Sequence, residues 1–227
     1  MGKYLRKFQT QAEYEAAAES LEQPNVSLIE EGRVLFFNAS EPGPEPVDMR
    51  IVTTFNVEDI SEDVRIIIDG TNEYFSAIEI DGVEVSTLDD YYNFTETGEH
   101  TIIYTLTDTL IDTATVPDGI FSELRSMASV VIPEGFKHLG NNSFGACYGL
   151  SSVTIPSTIE SIDFQCFDEC SSLNEVIILS TVPPTIDATS FNYVPGYIYV
   201  QSESVNAYKT ASEDWETYAE QIRAIPA

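Results

Sequence analysis

The sequence predicts a mainly β protein with short helices, built from an N-terminal helix, a small antiparallel β-sandwich module and a C-terminal repeat solenoid with a helical cap. Three observations carry that expectation. A block of apolar and turn residues recurs at a spacing of 23 residues in the second half of the chain. Residues 47–107 alternate apolar and polar side chains in short runs separated by turn residues, the period-2 signal of half-buried strands. Residues 10–22 place their apolar side chains on one helical face.

In chain order, Thr10 followed by Glu13 is a capping-box signature, and Tyr14, Ala17, Ala18 and Leu21 fall at i, i+3, i+4 and i+7. Pro24 ends that segment. Val26 and Leu28, then Val34, Leu35 and Phe36, flank Glu30-Glu31-Gly32-Arg33 in a hairpin-like pair. Residues 39–46 hold three prolines and a glycine and mark a linker. Residues 1–46 are too few to bury a core of their own, so they are expected to dock on the neighbouring domain, on another copy or on an assembly partner.

Residues 47–107 read as the β-module. In Ile78-Glu79-Ile80-Asp81-Gly82-Val83-Glu84-Val85, the four aliphatic residues share one face and Glu79 and Glu84 the other, with Asp81-Gly82 as a two-residue type I′ turn. Phe94 to Leu106 repeats the theme, with Glu96-Thr97-Gly98-Glu99 as the turn before the run from His100. Short strands with turns between them suggest an antiparallel sandwich of immunoglobulin-like (Ig-like) type.

Residues 108–227 carry the repeat. Val130-Val131-Ile132-Pro133, Val153-Thr154-Ile155-Pro156 and Val176-Ile177-Ile178-Leu179 share one spacing, and Phe144-x-x-Cys147-x-x-Leu150 matches Phe167-x-x-Cys170-x-x-Leu173. Ile120-Phe121-x-x-Leu124-x-x-Met127 is an earlier, degenerate copy, and the third copy drifts after Pro183-Pro184. Self-similarity at this period is the signature of leucine-rich repeats, in which no coil buries its own apolar edge and stacking turns those edges into one core.

These residues resemble the bacterial surface-protein (BspA-like) type of leucine-rich repeat, with its strand-Ile-Pro, Ile-Gly and Ala-Phe-x-x-Cys-x-x-Leu pattern. The resemblance covers residues 115–227. It includes a cap, with Ile198-Tyr199-Val200 as a last strand and Val205-x-x-Tyr208-Lys209-x-Ala211 and Trp215-x-x-Tyr218-Ala219-x-x-Ile222 as helical turns. The first 46 residues resemble the start of structural proteins from phages of gut Bacteroidales. The resemblance implies adhesion, with no shared catalytic residues, and about three coils imply a compact adhesion or assembly module. Its expected place is outside the cytoplasm, on a bacterial surface, secreted, or as a decoration or fibre component of a virion.

Composition narrows the partners. Acidic side chains number 38 against 10 basic ones, a formal net charge of −28, which repels phosphate backbones and anionic lipid heads and argues against nucleic acid and membrane-surface partners. The same charge keeps secreted or densely displayed proteins soluble. No stretch reaches the ~18 apolar residues of a membrane span. Met1 to Phe8 has the basic start of a signal peptide without an apolar region behind it, which leaves a removed signal or another route of export.

Catalysis finds little footing. The two histidines, His100 and His138, stand in strand-like and turn contexts, and no nucleophile elbow, phosphate loop or His-Glu-x-x-His pattern is present. No enzyme, cofactor or metal is expected. Cys147 and Cys170 share one repeat offset and read as a buried ladder of small apolar thiols. The sharper readings are a disulfide, or a metal site from Cys166, Cys170 and His138 that lacks a fourth ligand. Tyr91 and Tyr92 are candidate sugar-stacking rings, which would make the chain a carbohydrate-binding module of a glycan-uptake system. Tyr193, Tyr197 and Tyr199 form a second aromatic cluster. Strand alternation turns Ser129, Val131, Ser152, Thr154, Glu175 and Ile177 outward, either as a protein-binding surface or as a face packed on the β-module.

Overall fold

The computed structural model describes residues 50–226 except residues 69 and 86–88, together with three short strands nearer the start of the chain. The chain divides into two compact units, Met1–Pro46 and Val47–Ala227. In the first, β1 (Arg6–Lys7), β2 (Val26–Ile29) and β3 (Arg33–Phe36) form an antiparallel sheet of order β1-β3-β2. The hairpin expected from the sequence is the β2–β3 pair, with Val26 opposite Phe36 and Leu28 opposite Val34. The predicted helix over 10–22 and the linker over 39–46 lie outside the described residues.

The second unit begins with β4 (Ile51–Val57), β5 (Val64–Arg65), β6 (Phe75–Ile80), β7 (Val83–Glu84), β8 (Tyr91–Tyr92) and β9 (Gly98–Leu106). A six-residue helix, α1 (Asp108–Thr113), leads into the coils. There, long and short strands alternate: β10 (Thr115–Val116), β11 (Met127–Val131), β12 (His138–Leu139), β13 (Ser152–Ile155), β14 (Ser161–Ile162), β15 (Glu175–Ile178), β16 (Thr185–Ile186) and β17 (Tyr197–Val200). Two helical turns, α2 (Val205–Lys209) and α3 (Glu213–Thr217), precede β18 (Ile222–Ala224).

The short strands β10-β12-β14-β16 stack into a parallel sheet on one side of the solenoid. The long strands belong to a nine-stranded sheet of order β18-β17-β15-β13-β11-β4-β9-β6-β7. It is parallel from β18 to β11 and antiparallel from there to β7. This corrects the expected sandwich. Four of the module's strands share the solenoid's own sheet, and β5 and β8 form a separate two-stranded ribbon. The physical reason lies in β11, whose outer edge would leave a row of unpaired N–H and C=O groups at the start of the solenoid. β4 satisfies that edge, so the module grows from the sheet rather than standing as an Ig-like domain.

Between the two sheets runs a spine of rings. Phe121 and Phe144 stack at 5.3 Å, Phe144 and Phe167 at 5.1 Å, and Phe167 and Phe191 at 5.5 Å, with interplanar angles of 16°, 4° and 2°. Backbone bonds run beside them: the N–H of Phe121, Phe144 and Phe167 donates to the carbonyl of Ser143, Cys166 and Ser190 on the following coil. Each of these coils also holds a residue in the left-handed region (Glu123, Ala146, Glu169 and Tyr193, φ 55–58°), which turns the chain sharply enough to close the coil.

Both ends of the spine are closed by tyrosines. At the start, Tyr104 on β9 packs against Phe121 at 5.0 Å, and its hydroxyl donates to the Ile66 carbonyl at 2.7 Å. At the end no further coil carbonyl is available for Phe191, and its N–H donates instead to the Tyr218 hydroxyl at 3.2 Å. That hydroxyl in turn donates to the Ala188 carbonyl at 2.6 Å. Trp215 Nε1 and the Tyr208 hydroxyl cover the carbonyls of Pro184 and Ser180. The helical turns of the cap begin where the sequence puts them but are shorter, ending at Lys209 and Thr217. Ile222, expected on the second turn, instead starts β18, which pairs parallel beyond β17, so that Ile198–Val200 is not the last strand.

In the β6–β7 hairpin, Asp81 and Gly82 have φ of 50° and 78°, as a type I′ turn requires. Asp81 accepts from Thr101 N and sits 2.7 Å from His100 Nδ1, which holds the imidazole pKa above its ordinary value and the carboxyl below its own. Ile78 and Ile80 are buried, but Val83, expected on the same inward face, is 68% exposed because β7 is the sheet's edge and only two residues long.

The spine sets an expectation for stability. Phe167→Ala removes a ring stacked on both sides, so it should cost about 3–5 kcal/mol, while Phe167→Leu should cost less. Urea unfolding followed by far-UV circular dichroism measures both; a loss below about 1 kcal/mol for the alanine variant would mean the stack is not a principal support.

Candidate protein-interaction face

Alternation on the long strands decides which side chains leave the core. Val130, Ile132, Val153, Ile155, Val176 and Ile178 are buried between the sheets, so their neighbours point the other way. Val131, Thr154 and Ile177 fall opposite one another in the parallel register, as do Ser129, Ser152 and Glu175. All six are half-buried or exposed, Val131 reaching 49%. The sequence left open whether the module packs on this ladder. It does not: β4 joins edge to edge with β11, and the outer face continues across the junction.

That continuity adds residues that the repeat alone does not reveal. Val131 faces Val52 on β4, Val52 faces Ile103 on β9, and Ile103 faces Glu79 on β6, itself opposite Glu84 on β7. In the other direction Ile177 faces Tyr199, and Tyr199 faces Arg223 on β18. One row therefore crosses all nine strands, apolar in the middle and charged at both ends. The parallel row beside it runs Thr101, Thr54, Ser129, Ser152, Glu175 and Tyr197.

Local contacts fix the face. Thr54 Oγ1 and Ser129 Oγ, 2.7 Å apart, are hydrogen-bonded across the junction. Arg50 reaches Glu79 at 3.2 Å, relieving the two carboxylates that face each other at the module's edge. At the far end the Arg223 guanidinium lies 4.7 Å over the Tyr197 ring and donates to the Ile222 carbonyl. The signal for Val52 and Ile103 is present in the alternation of residues 51–57 and 98–106; what the sequence does not carry is that β4 pairs with β11.

The other candidates are dispersed. Tyr91 and Tyr92 are successive residues of β8, so their rings leave opposite faces of the ribbon. Tyr91 is exposed with the Arg65 guanidinium 5.6 Å from its centroid, whereas Tyr92 is half-buried edge-on against Phe94 at 4.8 Å. They do not form one stacking platform. Tyr193 stands exposed at a coil corner, apart from the Tyr197–Tyr199 pair, whose rings lie 6.3 Å apart on the sheet face.

The three cysteines are free and fully buried. Cys147 Sγ donates to the Phe121 carbonyl and Cys170 Sγ to the Phe144 carbonyl, each 3.1 Å away on the preceding coil. The shared offset is thus a thiol ladder bonded to the spine's backbone. Burial raises the Cys147 and Cys166 thiols well above their ordinary value and pushes Cys170 up to about 12. His138 Nδ1 lies 3.0 Å from Ser161 Oγ on the next coil. Among the described residues no three His, Cys, Asp or Glu side chains converge as metal ligands, and no helix is long and apolar enough to cross a membrane.

A family model for the BspA type leucine rich repeat region matches residues 92–207 in six copies. The matched span starts at β8 and takes in antiparallel β9 as well as the coils. No curated protein matches the chain.

The thiol ladder sets an expectation of its own. Buried and neutral, the native thiols should resist alkylation by iodoacetamide at pH 8, while all three should react once the chain is unfolded in denaturant. Mass spectrometry counts the adducts, and rapid modification of any of the three in the native protein would contradict the burial described.

Proposed function

The chain belongs to the BspA-type leucine-rich-repeat family, and from that premise we propose that it is a non-enzymatic adhesion and assembly protein that binds other proteins through the outer face of its nine-stranded sheet. The observation that carries this reading is the open row itself. A soluble sheet face normally presents polar side chains to water, yet here Val52 and Val131 are paired on the outer face and Ile177 follows in the same row beyond Thr154, on a chain otherwise crowded with carboxylates. BspA-type repeats are a protein-interaction module, and the place proposed for this one is outside the cytoplasm, on a bacterial surface or as an accessory component of a phage particle.

The proposed division of labour gives residues 1–46 the part of assembly segment and residues 47–227 the part of binding unit. Two features support it. Met1–Pro46 is a compact unit distinct from Val47–Ala227, and among the described residues the second unit has a buried core of its own that runs from Ile51 to Ile222. The spread of Tyr91 and Tyr92 to opposite faces gives the glycan-binding alternative no comparable support.

Two measurements test these roles. Beads coated with the full chain should adhere to bacterial or epithelial cells, and the double variant Val131→Glu/Ile177→Glu should reduce adhesion at least about tenfold. Adhesion that survives the double change in a folded protein would remove the face from consideration. In solution, the full chain should form a defined oligomer that falls to monomer in a chain of residues 47–227, read by light scattering after size exclusion; monomers in both cases would end the assembly role for residues 1–46.

A further inference from the structure

The proposed binding face has a length, a spacing and a polarity, and together these describe the partner. Resting on the reading that this face binds protein, we propose that its occupant is a basic amphipathic helix of a partner protein, lying across the strands along the row from Ile103 to Tyr199. The row steps from strand to strand, a spacing of about 4.8 Å. A helix repeats its apolar stripe about every 5.4 Å, close to that step, whereas an extended chain repeats a face only about every 6.8 Å. Five steps separate β9 from β17 in the sheet order, a span of about 24 Å, or about 16 helical residues.

Charge fixes the rest. Residues 47–227 carry 30 of the 38 acidic side chains and six of the ten basic ones. Most of those six are engaged within the unit: Arg50 on Glu79, Lys137 on Glu160, and Arg65, Arg125 and Arg223 over the rings of Tyr91, Tyr148 and Tyr197. A second copy of this chain would meet like charge, and a helix flanked by Lys and Arg would meet its complement. The ends of the row also suit a helix dipole. Glu79 and Glu84 lie where a positive N-terminus would rest, and Arg223 lies where a negative C-terminus would end.

The test titrates the full chain with three fluorescent peptides of about 16 residues. One is a helical lysine/leucine peptide with leucines on a single face, one has the same pattern with glutamate for lysine, and one alternates lysine and valine as an extended strand. The expected result is binding by the lysine/leucine helix alone. That binding should weaken about fivefold in Val52→Thr and again in Ile177→Thr, which lie on the module and on the solenoid, and about tenfold between about 0.02 M and about 0.2 M salt. Both substitutions keep β-branching on an open face, and an unchanged thermal transition verifies the fold. If the glutamate helix or the extended peptide binds as well and responds to the same substitutions, the helix inference is overturned and the face reading stands. If no peptide's binding responds to either substitution, both are overturned.

Discussion

Each coil of this solenoid is too small to enclose its own phenylalanine, so the ring of Phe121, Phe144, Phe167 or Phe191 is buried only because another ring lies on it at 5.1–5.5 Å. That mutual dependence sets the rest of the architecture. It requires one coil per repeat period, because the backbone N–H beside each ring finds its acceptor on the following coil. It also requires that something other than a coil close each end, since an end ring would otherwise face water. Burying a Phe side chain is worth about 2–3 kcal/mol, comparable with a large share of a domain's net stability, so an unclosed end would be costly.

The two closures solve the problem differently. At the end of the solenoid a tyrosine hydroxyl takes the place of a missing carbonyl, and two short helical turns bring Tyr208, Trp215 and Tyr218 over the last coil. At the start the sheet changes direction: antiparallel β4 takes the edge of β11, and Tyr104 and Phe75 supply rings within 5.0–6.0 Å of Phe121. The module is therefore a cap that also extends the proposed binding face. Because it caps by pairing rather than by covering, it leaves the outer sheet face open and nearly doubles its extent.

Much of this was legible in the sequence, and the parts that were not fail for identifiable reasons. The identical offsets of Phe144 with Phe167 and of Cys147 with Cys170 disclose coils because stacking forces like residues into like places. The next coil shows only its strand, Ile198-Tyr199-Val200, because its spacing breaks: Phe191 follows Phe167 by 24 residues, whereas Ile198 follows Val176 by 22. The small excess and deficit are absorbed in turns that water tolerates. Ile222 reads as part of a helical stripe after Trp215 and Tyr218, and only the unpaired edge of β17 makes it a strand. Likewise the alternation of residues 47–107 is a local signal that announces strands without naming their neighbours. Two facing sheets and one extended sheet produce the same pattern.

The candidate face shows the same division between what a strand encodes and what a sheet adds. Ser129, Val131, Ser152, Thr154, Glu175 and Ile177 follow from alternation alone, and the structure leaves them outward. Val52, Ile103 and Tyr199 join them only through pairing, and it is pairing that extends the Val131-Thr154-Ile177 ladder into a row with an acidic and a basic end. Net charge then acts on that row as a filter. The unit's 30 acidic side chains outnumber its six basic ones, so the field a partner meets is set by carboxylates. Apolar contact at the centre of the face would supply affinity without much discrimination, whereas the surrounding charge would disfavour an acidic partner segment on that face. On the proposed reading, specificity would come from the part of the surface that does not touch the row, and a neutral surface with the same row would be a far less selective one.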